Sequence, residues 1–195
     1  MACTALDEAA YHGHKDVVVL LLEHGADLSG RDNDGRTPLH YAAKTGRTEV
    51  TSLLIAHGAE VSAASNYGST PLQYASQNGH TAVVLLLLEK GADLSSKDCD
   101  GWSVLHQTAC YGHRALTSLL LDKGADEQSK TNGGTTPAEM ATASSNPEVA
   151  AMLQAEGLRR AQCVAFAMGQ QERLGAGSRV QWLDTGVVKM VLERV

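Results

Sequence analysis

Large rings are scarce in this chain: two Trp, five Tyr and one Phe make up 4% of the residues, while 43% are hydrophobic. A core built from it must be Leu, Val and Ala at many small interfaces, not rings around one centre. Cysteine is sparse too. Cys3, Cys99, Cys110 and Cys163 form no C-x-x-C, and the N-terminus has no signal-type apolar run, so reduced thiols in a cytoplasmic or nuclear protein are expected. Long apolar runs are missing as well. Val17 to Leu22 and Leu85 to Leu88 are soon bounded by charge and Gly, far short of the roughly 20 residues a membrane-spanning helix needs, so no membrane segment is expected. Positive charge is deficient where it would matter for nucleic acid: residues 1–156 hold 10 Lys and Arg against 19 Asp and Glu, and residues 157–195 hold 6 against 3. Sequence-independent nucleic-acid binding needs a basic stripe to displace counterions from phosphate, and an acidic array argues against it.

What is present is a period. Gly35 recurs as Gly68, Gly101 and Gly134, and Gly25 as Gly58, Gly91, Gly124 and Gly157, every 33 residues. Within the unit Asp34 to Asn66, Thr37-Pro38 supplies a capping hydroxyl and then a proline in the first helical turn, where a missing N–H costs nothing. Leu39, Ala42 and Ala43 give the helix that follows a narrow apolar stripe, and Gly46 ends it. A second helix from Thr48 carries Val50, Leu53, Leu54 and Ala56 and stops at His57-Gly58. Neither short helix can bury its face alone. Stacked side by side, such units share a continuous core, as a solenoid does.

DGRTPLHYAAKTG followed by LLIAHGAEV resembles an ankyrin repeat, and so do YGSTPLQYASQNGH with LLLLEKGADL and DGWSVLHQTACYGH with LLLDKGAD. The resemblance covers about four fifths of the chain. It implies an all-α solenoid of helix-turn-helix units with hairpin or loop fingers, here as an array over residues 1–157 (1–33, 34–66, 67–99, 100–132 and 133–157) followed by a C-terminal helical tail, 158–195. Helix pairs are predicted near 5–12/15–23, 38–45/48–56, 71–78/81–89, 104–111/114–122 and 137–144/147–155. Leu54 and Leu87 should be buried at equivalent places.

The units differ in detail. The first lacks its leading finger, which fits either a terminal unit or a start within a longer protein; Ala5 replaces the proline, and Asp7 and Glu8 should solvate the outer face. The fourth has Ser103-Val104 in place of Thr-Pro and should be looser. In the fifth, Ser145 replaces the inter-helix glycine, while Asn146-Pro147-Glu148 makes a strong new start. After Gly157 the period stops. Leu158, Ala161, Val164, Ala165 and Met168 share one helical face and should cover the fifth unit, with Arg159 and Arg160 toward Glu148 and Glu156. A last helix is predicted from Asp184 or Thr185, with Val187, Val188, Val191, Leu192 and Val195 on its apolar side. The stretch SRVQWLDTGVVKMVLERV resembles the start of an F-box, with Leu183-Asp184 where that family has Leu-Pro; this implies an alternative role as an adaptor for a ubiquitin ligase.

Catalytic patterns do not assemble. His24 and His57 hold one repeat position, His40 and His106 another, and His14, His80 and His113 a third, so they lie a repeat apart instead of converging on a metal. The resemblance implies that His40 and His106 hydrogen-bond neighbouring loop backbone. Gly133-Gly134 has no Lys-Ser or Lys-Thr after it, so no phosphate loop is present, and neither an enzyme nor a cofactor is expected. Ser29, Ser62 and Ser95 stand where ankyrin fingers often carry a hydroxylatable Asn, so that modification is not expected.

Surface remains. In the resembling family partners bind the finger tips and the exposed side of the first helices, and those positions fall here on Arg36, Tyr67, Asp100 and Trp102 in the fingers and on Tyr11, His12, Tyr41, Lys44, Tyr74, Gln77, Asn78 and Tyr111 in the helices. All five tyrosines belong to this set, and exposed aromatics are typical binding anchors; Tyr41 and Tyr74 could equally pack between repeats. The expected function is a non-catalytic scaffold or adaptor, a monomer that binds a partner protein.

Overall fold

The computed structural model of the protein describes the backbone of residues 3–173 and the side chains of residues 3–163. Among the described residues there are ten helices and no strand. They come in pairs: α1 (Ala5–His12) with α2 (Lys15–Glu23), α3 (Pro38–Lys44) with α4 (Thr48–Ala56), α5 (Pro71–Gln77) with α6 (Thr81–Glu89), α7 (Val104–Cys110) with α8 (Arg114–Asp122), and α9 (Pro137–Ala143) with α10 (Pro147–Arg173). The first nine match the predicted spans to within one residue. All four prolines open a helix, where the fixed φ is an advantage.

First helices pack on first helices in the order α1, α3, α5, α7, and α7 on α9. Small side chains make that approach possible: Ala10, Ala42, Ala43, Ala75 and Ala109 have no exposed surface. Second helices contribute the larger groups: Leu54 and Leu87 are completely enclosed, as predicted, and Leu120 is enclosed too. Burying each such side chain contributes about 2–3 kcal/mol. Between the two helices of a unit the chain reverses through a left-handed residue, Gly46 at φ 72° in the second repeat and Ser145 at φ 59° in the fifth. A side chain in that conformation costs roughly 1–2 kcal/mol, so the fifth repeat carries local strain that the others avoid.

Each finger is a tight turn. In the first, Gly35 N–H donates to Asp32 O (3.1 Å) and Asp32 N–H to Arg36 O (3.0 Å). One backbone bond then joins each finger to the next: Asn66 N–H to Asp34 O (2.8 Å), Cys99 N–H to Tyr67 O (2.9 Å) and Asn132 N–H to Asp100 O (2.9 Å). The fingers therefore stand in a fixed row.

Three expectations change. Asp7 does not solvate the outer face; it is fully buried, closing a capping box in which its Oδ2 accepts Thr4 N–H at 2.8 Å, and only Glu8 is exposed. The fourth repeat keeps a complete cap through Ser103 and His106, and α7 buries six of its seven residues, so a looser unit is not what the geometry gives. Helix α10 runs through Gly157 instead of ending at 155. The four equivalent glycines are followed by Ala-Asp or Ala-Glu and a turn, whereas Gly157 is followed by Leu-Arg-Arg-Ala-Gln, all good or fair helix formers.

By compactness the chain divides into a unit of residues 1–150 and a second of residues 151–195. In the second, Glu156 pairs with Arg159 and Arg160 along one helix, each at 3.7 Å, while Glu148 in the first pairs with Arg114 at 3.8 Å. Leu158, assigned by its spacing to an apolar stripe, is 64% exposed. Val164, Ala165 and Met168 side chains, the last predicted helix and the F-box-like stretch lie outside the described residues. No described helix is long and apolar enough to cross a membrane.

Candidate protein-binding surface

In the second, third and fourth repeats the face made by fingers and first helices is held in place by one residue each, the third of the first helix. In the second repeat, His40 Nδ1 accepts Thr37 N–H at 3.0 Å and lies 2.9 Å from the Thr37 hydroxyl. That nitrogen carries no proton, so Nε2 carries it and donates to Ser69 O, in the next finger, at 3.1 Å. His106 repeats this with Ser103 N–H (3.1 Å) and Thr135 O (2.9 Å). Gln73 does the same with an amide: Oε1 accepts Thr70 N–H at 2.9 Å and Nε2 donates to Trp102 O at 2.7 Å. One polar side chain thus caps a helix and fixes the following finger. Burial holds the His40 pKa down to about 4, and lowers that of His106, so both rings are neutral and keep the tautomer the bonds require.

Finger chemistry adds a second fixed point. Asp32 Oδ1 accepts the N–H groups of Asp34 and Arg36, both at 2.8 Å. Its Oδ2 accepts Arg36 Nε–H at 2.8 Å and the Tyr41 hydroxyl at 2.5 Å. Burial pushes this carboxyl up, but bonds from Tyr41 and Arg36 prevail and hold its pKa at about 2. The Arg36 guanidinium also pairs with Asp34 at 2.7 Å and sits 5.1 Å from the Tyr41 ring centre. Arg36 and Tyr41 are therefore committed to one another through Asp32. Asp98 plays the backbone part of this role in the third finger, accepting Asp100 N–H (3.0 Å) and Trp102 N–H (2.8 Å).

None of the twelve residues assigned to the surface from the sequence is buried. Tyr11, His12, Tyr67, Asn78, Asp100 and Tyr111 are exposed; Arg36, Tyr41, Lys44, Tyr74, Gln77 and Trp102 are half-buried. Several are brought together. Tyr11 meets Tyr41 edge-on at 6.3 Å and His12 at 5.1 Å, and Gln77 Nε2 donates to the Tyr111 hydroxyl at 2.7 Å. The Tyr67 hydroxyl lies 3.4 Å from Asp34. Tyr74 leans edge-on against buried His40 at 5.6 Å, the inter-repeat packing weighed for it above, and Trp102 leans on His106 at 6.4 Å. Lys44 contributes its backbone: its carbonyl accepts His80 Nε2–H at 3.0 Å. Asp32 was missed from the sequence, although the Asp at the same place two periods on, Asp98, was a usable signal.

No group of three or more His, Cys, Asp or Glu able to hold a metal occurs among the described residues. Comparison with curated proteins finds no match. A family model described as ankyrin repeats, in three copies, matches residues 6–98 and residues 94–161. Such repeats are generally protein–protein interaction modules and typically not enzymes. Period, helix pairs, linked fingers and a match across most of the sequence agree: the chain belongs to the ankyrin repeat family.

Proposed function

We propose that the protein is a non-catalytic scaffold or adaptor that binds a partner protein through the row of fingers and the exposed side of the first helices. The observation that carries this reading is the exposure of aromatic rings there: Tyr11, Tyr67 and Tyr111 are 39%, 59% and 52% accessible in a chain with few rings to spend. Tyrosine rings left open to water do little for a fold, whereas in a contact they supply large, stiff, amphipathic anchors. The bond from Gln77 holds the Tyr111 ring before any partner arrives, which lowers the entropy cost of binding. An acidic array favours a protein partner over nucleic acid. Four free thiols suit a reducing compartment, cytosol or nucleus.

Affinity purification with the full chain tests the reading. Parent protein and a control changed at exposed Leu85, on a second helix, should recover the same partner, and a Trp102→Ala/Tyr111→Ala variant of unchanged helicity should lose it. Equal recovery by all three overturns the proposal.

A further inference from the structure

We propose that the finger of the fourth repeat, Asp98 to Trp102, receives an arginine side chain of the protein partner, its guanidinium held by the Asp98 and Asp100 carboxylates beside the Trp102 indole. This rests on the partner-binding reading above and names the chemistry that the finger row selects. The second repeat supplies the precedent within the chain itself. Its finger reads Asp32-Asn33-Asp34-Gly35-Arg36 and the fourth reads Asp98-Cys99-Asp100-Gly101-Trp102, the same frame with the cation exchanged for a ring. In the second repeat Arg36 fills the site from inside. Its Nε–H donates to Asp32 Oδ2 at 2.8 Å, its guanidinium pairs with Asp34 at 2.7 Å, and its central carbon stands 5.1 Å from the centre of the Tyr41 ring. Two hydroxyls complete the shell, Tyr41 on Asp32 at 2.5 Å and Tyr67 on Asp34 at 3.4 Å.

In the fourth repeat the carboxylates keep their frame and lose each of those side-chain partners. Asp98 Oδ1 accepts Asp100 N–H at 3.0 Å and Trp102 N–H at 2.8 Å, as Asp32 Oδ1 accepts the two equivalent groups. Trp102 stands in place of Arg36, Gln107 in place of Tyr41 and Gly133 in place of Tyr67. Among the described residues, Asp98 Oδ2 and the Asp100 carboxylate are left with no hydrogen bond and no ion pair. Lys97, the cation of the same finger, is engaged elsewhere, donating to Lys130 O at 2.8 Å. Exposure follows: Asp98 is half-buried where Asp32 is buried, and Asp100 is exposed where Asp34 is half-buried. A guanidinium suits this gap because its planar fork can bridge two carboxylates while its face lies on an indole. A calcium or magnesium ion needs about six oxygens, and no third acid, His or Cys joins these two among the described residues. The 19 Asp and Glu against 10 Lys and Arg over residues 1–156 draw a basic segment toward the face.

NMR titration of the isotope-labelled full chain with N-acetylarginine methylamide, the isolated side chain, tests this without the partner. The amides of residues 98–102 and the Trp102 indole N–H should shift saturably, with a Kd on the order of 10 mM. Amides of residues 32–36, where Arg36 already fills the site, should not respond. N-acetyllysine methylamide should bind the same place at least about threefold more weakly. Trp102→Arg writes the frame of the second repeat into the fourth; it should fold as the parent does and lose the probe's shifts. Asp98→Asn/Asp100→Asn keeps an oxygen for the two backbone N–H groups and should weaken binding at least about fivefold. No saturable shift at residues 98–102, equal binding of the lysine probe, or binding undiminished in both variants overturns the proposal. The two readings fail separately. A probe that does not bind, while Trp102→Ala/Tyr111→Ala loses the partner, overturns the arginine alone; a partner recovered equally by that variant overturns the binding face, and the partner's share of this proposal with it, whatever the probe does.

Discussion

Replacing His40 by Gln separates the two jobs of the capping residue, hydrogen bonding and proton avoidance. Gln73 already makes both bonds in the third repeat, at 2.9 and 2.7 Å, and is as buried as His40, so the variant should keep the cap and the finger link. The loss near pH 7 should be about 1 kcal/mol, chiefly the ring contact with Tyr74. Acid should distinguish the two proteins. The folded pKa of His40 is depressed from 6.5 to about 4, so the unfolded chain takes up a proton first and stability falls as pH drops through that window. At 1.36 kcal/mol per unit, this residue alone costs the parent about 3 kcal/mol by about pH 4. Gln does not titrate. Urea unfolding at a series of pH values from about 7 to about 4 should therefore give curves that start close together and cross, with His40→Gln the more stable at the acid end. Parallel curves would refute the assigned tautomer and the buried neutral ring.

Further expectations concern the caps and the core. Leu54→Ala or Leu87→Ala should destabilise by about 2–5 kcal/mol in thermal or urea melts, since both side chains are completely enclosed; melts matching the parent would mean the second helices face differently. Ser145→Gly should stabilise by roughly 0.5–1 kcal/mol by relieving the left-handed strain at φ 59°, net of the extra backbone freedom of glycine. Asp7→Asn should stabilise by about 1 kcal/mol near neutral pH, because Asp7 Oδ1 is buried with no hydrogen-bond partner and Asn offers a donor there, as His40, Gln73 and His106 do. Burial raises the Asp7 pKa, so its protonated form favours the fold and that contribution is lost as pH rises through the folded value; the gain from Asn should vanish below about pH 4.

Local punctuation explains how far the sequence could be read. Thr-Pro starts and glycine stops recur at a fixed period, so nine helices are placed to within one residue, and repeat equivalence carries twelve side chains onto one non-buried set of positions. Misreadings arise where a residue's meaning depends on its neighbour in space. Asp7 and Glu8 look alike as acids at a helix start, but only Asp7 points into the cap. Gly157 looks like its four predecessors, and the helix-forming segment after it decides otherwise. Asp32 reads as a turn residue in a polar loop; its hold on Tyr41, nine positions away, exists only once the finger folds beside α3.

The measurement that bears most directly on the account is site-directed photo-crosslinking in cells, with the reactive side chain placed singly at Tyr67, at Tyr111 and at Leu85. Tyr67 and Tyr111 lie on the finger-and-first-helix face, and Leu85, exposed to 40%, lies on a second helix. The account predicts one shared protein adduct from Tyr67 and Tyr111 and none of it from Leu85. An adduct formed at Leu85 and absent at both tyrosines would contradict it.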